Sequence, residues 1–116
     1  DDEWGSRHNF SALENWKQTD PLVLLAHNPD ALLSWPEIYP LPALELSGHT
    51  HGGQLCLPFI GPIGDAYIKL PKKFYRGLHY HGEVPVFVTT GTGESLGPFR
   101  LGAPPEIALL TLEPQK

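Results

Sequence analysis

Two short stretches hold most of the groups that could do chemistry: His27-Asn28-Pro29-Asp30 and Gly48-His49-Thr50-His51-Gly52-Gly53. Imidazole is the commonest side-chain metal ligand, and it ligates as the neutral ring. In extended backbone, residues i and i+2 point the same way, so His49 and His51 would present two rings to one side while Thr50 points into the structure. Their Cα atoms would lie about 6.6 Å apart, which suits two ligands of one metal, or one ligand to each of two metals roughly 3.5–4 Å apart. Gly48, Gly52 and Gly53 remove side chains on both flanks, allowing positive φ and close approach of backbone to a metal or phosphate. A bare His-x-His is a weak signal. This one gains weight because it follows an apolar run, and because a separate apolar run ends on His27.

The elements around these residues must position them. Pro21-Leu22-Val23-Leu24-Leu25-Ala26 is continuously apolar and reads as a strand buried on both faces. Asn28-Pro29 breaks it, and residues 30–35 read as a short helix with Asp30 as N-cap, ended by Pro36. Beyond the stiff Pro40-Leu41-Pro42, residues 43–47 form a second apolar strand that ends on Gly48. Ligand sites in α/β sheets gather at the carboxyl ends of strands, so His27 is expected to converge with the His49/His51 pair.

The rest of the chain supplies scaffold. Residues 10–18 suit a helix with Ser11 as N-cap and Glu14 completing a capping box, and with Phe10, Leu13 and Trp16 on one face. Residues 54–73 are rich in proline and glycine and read as a long surface loop. Strands are expected over 74–80, 84–90 and 106–112; in the second, Val86 and Val88 face one way, Phe87 and Thr89 the other. Thr90-Gly91-Thr92-Gly93 is a glycine turn. A β-α-β start followed by antiparallel strands makes the class mixed α/β.

Composition narrows the function classes. At 116 residues the chain suits one domain, and its net charge is −5. There is no lysine or arginine stripe, which argues against a nucleic-acid or anionic-membrane surface; the densest basic stretch, Lys69, Lys72, Lys73 and Arg76, reads as a solvated loop, with a local patch meeting a phosphate group as the alternative. Cys56 is the single cysteine, so neither a disulfide within the chain nor a cysteine-rich zinc site can form. No run approaches the about 18 apolar residues of a membrane span. The chain has no methionine and starts Asp1-Asp2-Glu3, which reads as a piece of a longer protein. His79 and His81 also stand at i and i+2, but within a predicted strand, and read as a solvent-facing strand edge. His8 reads as exposed, and Trp4, Trp16 and Trp35 as packing residues.

Ala26-His27-Asn28-Pro29-Asp30 and Ser47-Gly48-His49-Thr50-His51-Gly52-Gly53-Gln54 resemble the last two motifs of the calcineurin-like metallophosphoesterases. Phe87-Val88-Thr89-Thr90-Gly91-Thr92-Gly93 and the segment from Phe99 to Ile107 are similar to the ending of the bacterial YkuE/YaeI-like branch, which is related to enzymes that split a UDP-diacylglucosamine pyrophosphate bond. The resemblance runs from about residue 20 to residue 112 and implies the C-terminal half of a four-layer α/β/β/α sandwich with a mixed sheet. It implies two divalent ions (Mn, Fe, Zn or Ni), with His27 and His49 on the second and His51 on the first. It further implies hydrolysis of a phosphodiester or pyrophosphate of a cell-envelope lipid or lipid precursor, with Asn28, Gly52, Gly53 and Gly91 near the substrate.

The family's earlier motifs, Asp-x-His, Gly-Asp-x-x-Asp and Gly-Asn-His-Asp/Glu, are absent. Gly64-Asp65-Ala66-Tyr67-Ile68 begins like the second but has Ile68 where an Asp belongs, and it lies after Gly-His-x-His rather than before it. The metal-bridging carboxylate and the acid histidine are therefore expected from outside this chain, which alone should be inactive. Expected partners are the substrate, the missing half of the domain and, through the parent chain, a membrane; exposed sheet edges would also favour a dimer, and no nucleic acid is expected. The expected location is cytoplasmic or peripheral to a bacterial inner membrane. A second reading is a non-catalytic metal-binding or self-associating module. A third, a cupin-type barrel, lacks the acid that should follow His51.

Overall fold

Parallel pairing organises the chain. The structure, a computed structural model, describes residues 9–95 and 97–114; Trp4 and His8 lie outside them. β1 (Val23–Leu25), β2 (Leu44–Ser47) and β6 (Val84–Val88) run parallel, and β5 (Gly77–His81) lies antiparallel to β6, giving the order β1-β2-β6-β5. β3 (Cys56–Leu57) and β4 (Gly61–Pro62) form a separate small hairpin. The mixed sheet and mixed α/β class agree with the sequence reading, but every helix among the described residues is a short 3-10 turn.

Alternation fixes the sheet's two faces. Val84, Val86 and Val88 are buried and join Leu32, Leu70 and Phe74 in the core, with Leu24 and Ile68 packed against it. Glu45 and Ser47 point to the same side and are also buried. Phe87 points the other way, as the period-2 pattern requires. That opposite face carries Val23, Leu25, Leu78 and Tyr80, all exposed.

Several local expectations are corrected. The 10–18 helix is a 3-10 turn over Ser11–Asn15 that starts from Phe10, and the Asn9 Oδ1, not a Ser11/Glu14 box, accepts from the Ser11 N–H at 2.9 Å. β1 is not buried on both faces: it is a sheet edge, and Leu25 is 75% exposed. The turn after His27 spans Pro29–Ser34 and is capped by Asn28, not Asp30; the Asn28 Oδ1 accepts from the Asp30 N–H at 2.8 Å, and Pro29 stands at the first helical position, where a missing N–H costs nothing. Phe74 belongs to a 3-10 turn, Lys72–Tyr75, and the strand expected from it begins only at Gly77. The 54–73 loop contains the β3–β4 hairpin.

The strand expected over 106–112 is absent. The Glu106 N–H donates to the Gly91 carbonyl at 2.9 Å, but beyond it no described edge runs alongside, and Ile107 and Leu109 are exposed. His79 and His81 lie on an edge strand, as expected, but they face inward and pack edge-on against the Phe74 ring at 5.6 and 6.4 Å, while Leu78 and Tyr80 take the solvent side. Trp16 and Trp35 are packing residues, set against Tyr39 and Phe10.

Candidate metal centre

Because β1, β2 and β6 are parallel, their carboxyl ends open on one edge of the sheet. Main-chain bonds extend the ladder past the strand ends: the Gly48 N–H donates to the His27 carbonyl at 3.0 Å, and the Thr89 N–H to the Ser47 carbonyl at 2.9 Å. His27, the 48–54 loop and the 89–93 turn are thereby placed side by side.

The loop itself is curled, which corrects the extended geometry expected for His49-Thr50-His51. His49 and His51 both have positive φ, 67° and 49°, on either side of an αR Thr50. Such backbone is uncommon outside glycine and carries strain that the surroundings must hold. Thr50 does the holding: it is buried, as expected, its hydroxyl donates to the Tyr75 carbonyl at 2.6 Å, and its Oγ1 accepts from the Gly52 N–H. Gly52 and Gly53 follow at φ 64° and 82°, and a Cβ on either would stand 2.6 Å from Thr90 or Pro62.

The curl sends the two rings to different partners. His49 Nδ1 lies 3.1 Å from His27 Nε2, with the rings edge-to-face. His51 Nδ1 lies 3.1 Å from the Gly93 carbonyl. All three histidines line one cavity of about 680 Å³, together with Gln54, Asp65, Tyr67 and Phe99. Of the other residues read as substrate contacts, only Gly53 lines this cavity; Asn28 is buried as a helix cap, Gly52 packs against Thr90, and Gly91 turns the chain at φ 66°.

The donor set fits a divalent cation in part. Two ring nitrogens 3.1 Å apart can both lie at the about 2.0–2.1 Å of a metal–imidazole bond. A ring nitrogen of His51 set against a main-chain carbonyl is the kind of outer contact that orients a ligating histidine. Among the described residues, however, no three His, Cys, Asp or Glu side chains gather at one point. The described residues offer a pair of donors and a third apart from them.

Four residues support the site in roles that the sequence reading did not assign to them. Asp30 accepts from the Lys69 and Leu70 N–H groups at 2.6 and 3.0 Å, pinning the long loop to the turn that follows His27. Gln54 holds Ser95 and Phe99, donating to the carbonyls of both and accepting from the Ser95 N–H. Arg100 gathers the carbonyls of Thr90, Gly93, Ala103 and Pro104. Glu45 was visible as an acid inside an apolar strand. It is fully buried, accepts from the Ser47 hydroxyl at 2.7 Å, and its Oε2 meets no hydrogen-bond donor among the described residues. Burial, with the nearby Asp30 charge adding to it, pushes its carboxyl up to about 7 against the opposing Ser47 bond.

No family profile matches the chain, and no solved structure does. Curated relatives do. The metallophosphoesterase YkuE of Bacillus subtilis is 44% identical over 93 residues, covering 78% of this chain and 30% of its own. A metallophosphoesterase of Helicobacter pylori is 38% identical over 105 residues, covering 90% and 26%. The phosphodiesterase YaeI of Escherichia coli is 38% identical over 97 residues, covering 79% and 32%. The chain thus spans about a third or less of the length of these relatives. With such matches over most of its own length, it belongs to the metallophosphoesterase family.

Proposed function

We propose that the chain is the C-terminal part of a two-metal phosphoesterase that hydrolyses a phosphodiester or pyrophosphate, with a cell-envelope lipid or lipid precursor as substrate. The observation that carries this is the convergence of His27, His49 and His51 on one cavity at the carboxyl ends of parallel strands. In this reading His27 and His49 hold one ion and His51 contributes to the other. Bound divalent ions polarise phosphoryl oxygens and supply a hydroxide nucleophile near neutral pH. The chain's own part is to orient the imidazoles, close the cavity with the Gln54 clamp, and line it with Gly53.

The bridging carboxylate and the acid histidine come from outside these 116 residues, a view supported by the two-plus-one donor set and by the length of the relatives. The bare apolar sheet face of Val23, Leu25, Leu78 and Tyr80 supports a second layer packing there, as in a four-layer sandwich. That same face favours the alternative of a self-associating module, and lipid substrates would bring the parent protein to a membrane surface.

The test is turnover of a chromogenic phosphodiester with Mn²⁺. The 116-residue chain alone should be silent, and should gain activity when mixed with the remaining segment of the domain. Robust turnover by the chain alone would refute the missing-ligand reading. Titration calorimetry should show Mn²⁺ or Zn²⁺ binding that weakens in both H27A and H49A; unchanged affinity in both would remove the metal assignment.

A further inference from the structure

The Arg100 guanidinium is committed wholly to main-chain carbonyls. Nε donates to Gly93 at 3.1 Å, and Nη1 to Ala103 and Pro104 at 2.8 and 3.2 Å. Nη2 donates to Gly93 at 2.6 Å and Thr90 at 2.7 Å. The Gly93 carbonyl, doubly held by Arg100, is also the group 3.1 Å from His51 Nδ1. Nη2 itself lies 3.5 Å from that nitrogen.

These contacts decide the tautomer. A guanidinium only donates, so an Arg100–His51 bond would need a bare Nδ1. Both Nη2 hydrogens already go to closer carbonyls, and the His51–Gly93 contact is the shorter. Nδ1 therefore bears the proton and donates to Gly93, and Nε2 keeps its lone pair. We propose that Arg100 is a positioning residue: by fixing the Gly93 carbonyl it locks His51 in the Nδ1–H form and reserves Nε2 for a ligand. This rests on the reading of His51 as a metal donor, but its test does not need metal.

The experiment is long-range ¹H–¹⁵N correlation NMR of the metal-free, ¹⁵N-histidine-labelled chain in mildly alkaline buffer. His51 should show a protonated Nδ1 and a bare Nε2. Arg100→Ala and Arg100→Lys should both lose this single state and show a mixture of tautomers. Lys72→Ala, which removes a bond to the Pro62 carbonyl away from Gly93, should keep it. A wild-type His51 protonated on Nε2 would overturn the proposal, as would an Arg100→Lys chain that stays purely Nδ1–H, or a Lys72→Ala chain that shifts as much as the arginine variants. If Arg100→Ala does not fold, the wild type and Arg100→Lys still decide. Metal titration of Arg100→Lys should show affinity lowered about tenfold, the usual scale for losing a group that orients a ligating histidine.

Discussion

Glu45 makes stability depend on pH in a direction opposite to that of most carboxylates. It lies on the central strand β2, fully buried, facing the side of the sheet that holds Val86 and Val88. The groups facing it are the Ser47 hydroxyl on its own strand and the Asp30 carboxylate from the adjacent turn. Its carboxyl titrates at about 7 instead of the usual 4.5. The folded state therefore holds the proton more tightly than the unfolded chain. The associated stability is fully present below about pH 4.5, is lost as pH rises through about 7, and stays flat above that. At about 1.4 kcal/mol per pH unit, the loss between pH 4.5 and 8 comes to about 3 kcal/mol. Glu45→Gln keeps the shape and an oxygen that can accept from Ser47, but it cannot ionise. Urea unfolding at half-unit steps from pH 4.5 to 8 should show the wild type losing about 3 kcal/mol relative to the variant. Every other titratable group is common to the two proteins and cancels in the difference. Parallel curves for wild type and Glu45→Gln would refute the argument, because a carboxyl that titrates normally in the fold contributes no such slope.

Other expectations follow from single contacts. Asp30→Ala leaves the Lys69 and Leu70 N–H groups without their carboxylate; it should cost about 2–3 kcal/mol and raise hydrogen exchange at those two amides first, with β6 amides following only on global unfolding. Gly52→Ala forces a Cβ to 2.6 Å from Thr90 Cγ2 at φ 64°; thermal melts should show a loss of about 1–3 kcal/mol. Gly91→Ala has the same positive φ but open space around its Cβ, so it should cost only about 1 kcal/mol. Equal losses at the two sites would show that conformation, not crowding by Thr90, sets the demand for glycine at position 52.

The residue types and their placement at strand ends were legible in the linear chain. An apolar run stopping at His27, and another stopping before Gly48, mark strands delivering histidines to a sheet edge, because apolar runs of that length bury as strands and the polar residues after them cannot follow. The alternation of Val84, Val86 and Val88 was readable for the same reason. What failed was whatever depended on neighbours distant in sequence. The apolar run at 21–26 could not reveal that β1 would stand at an edge with Leu25 bare, nor could 106–112 reveal that no described strand would pair with it. The capping role passed from Asp30 to Asn28 because the Asp30 carboxylate is taken by two amides some forty residues away. The i, i+2 rule placed His49 and His51 together only for an extended backbone. Tertiary structure curled that backbone around a buried Thr50, turned His49 toward His27 and His51 toward Gly93, and so decided which imidazoles share a partner. Sequence alone fixes which donors exist; the contacts that hold strained φ values in place fix where each donor points.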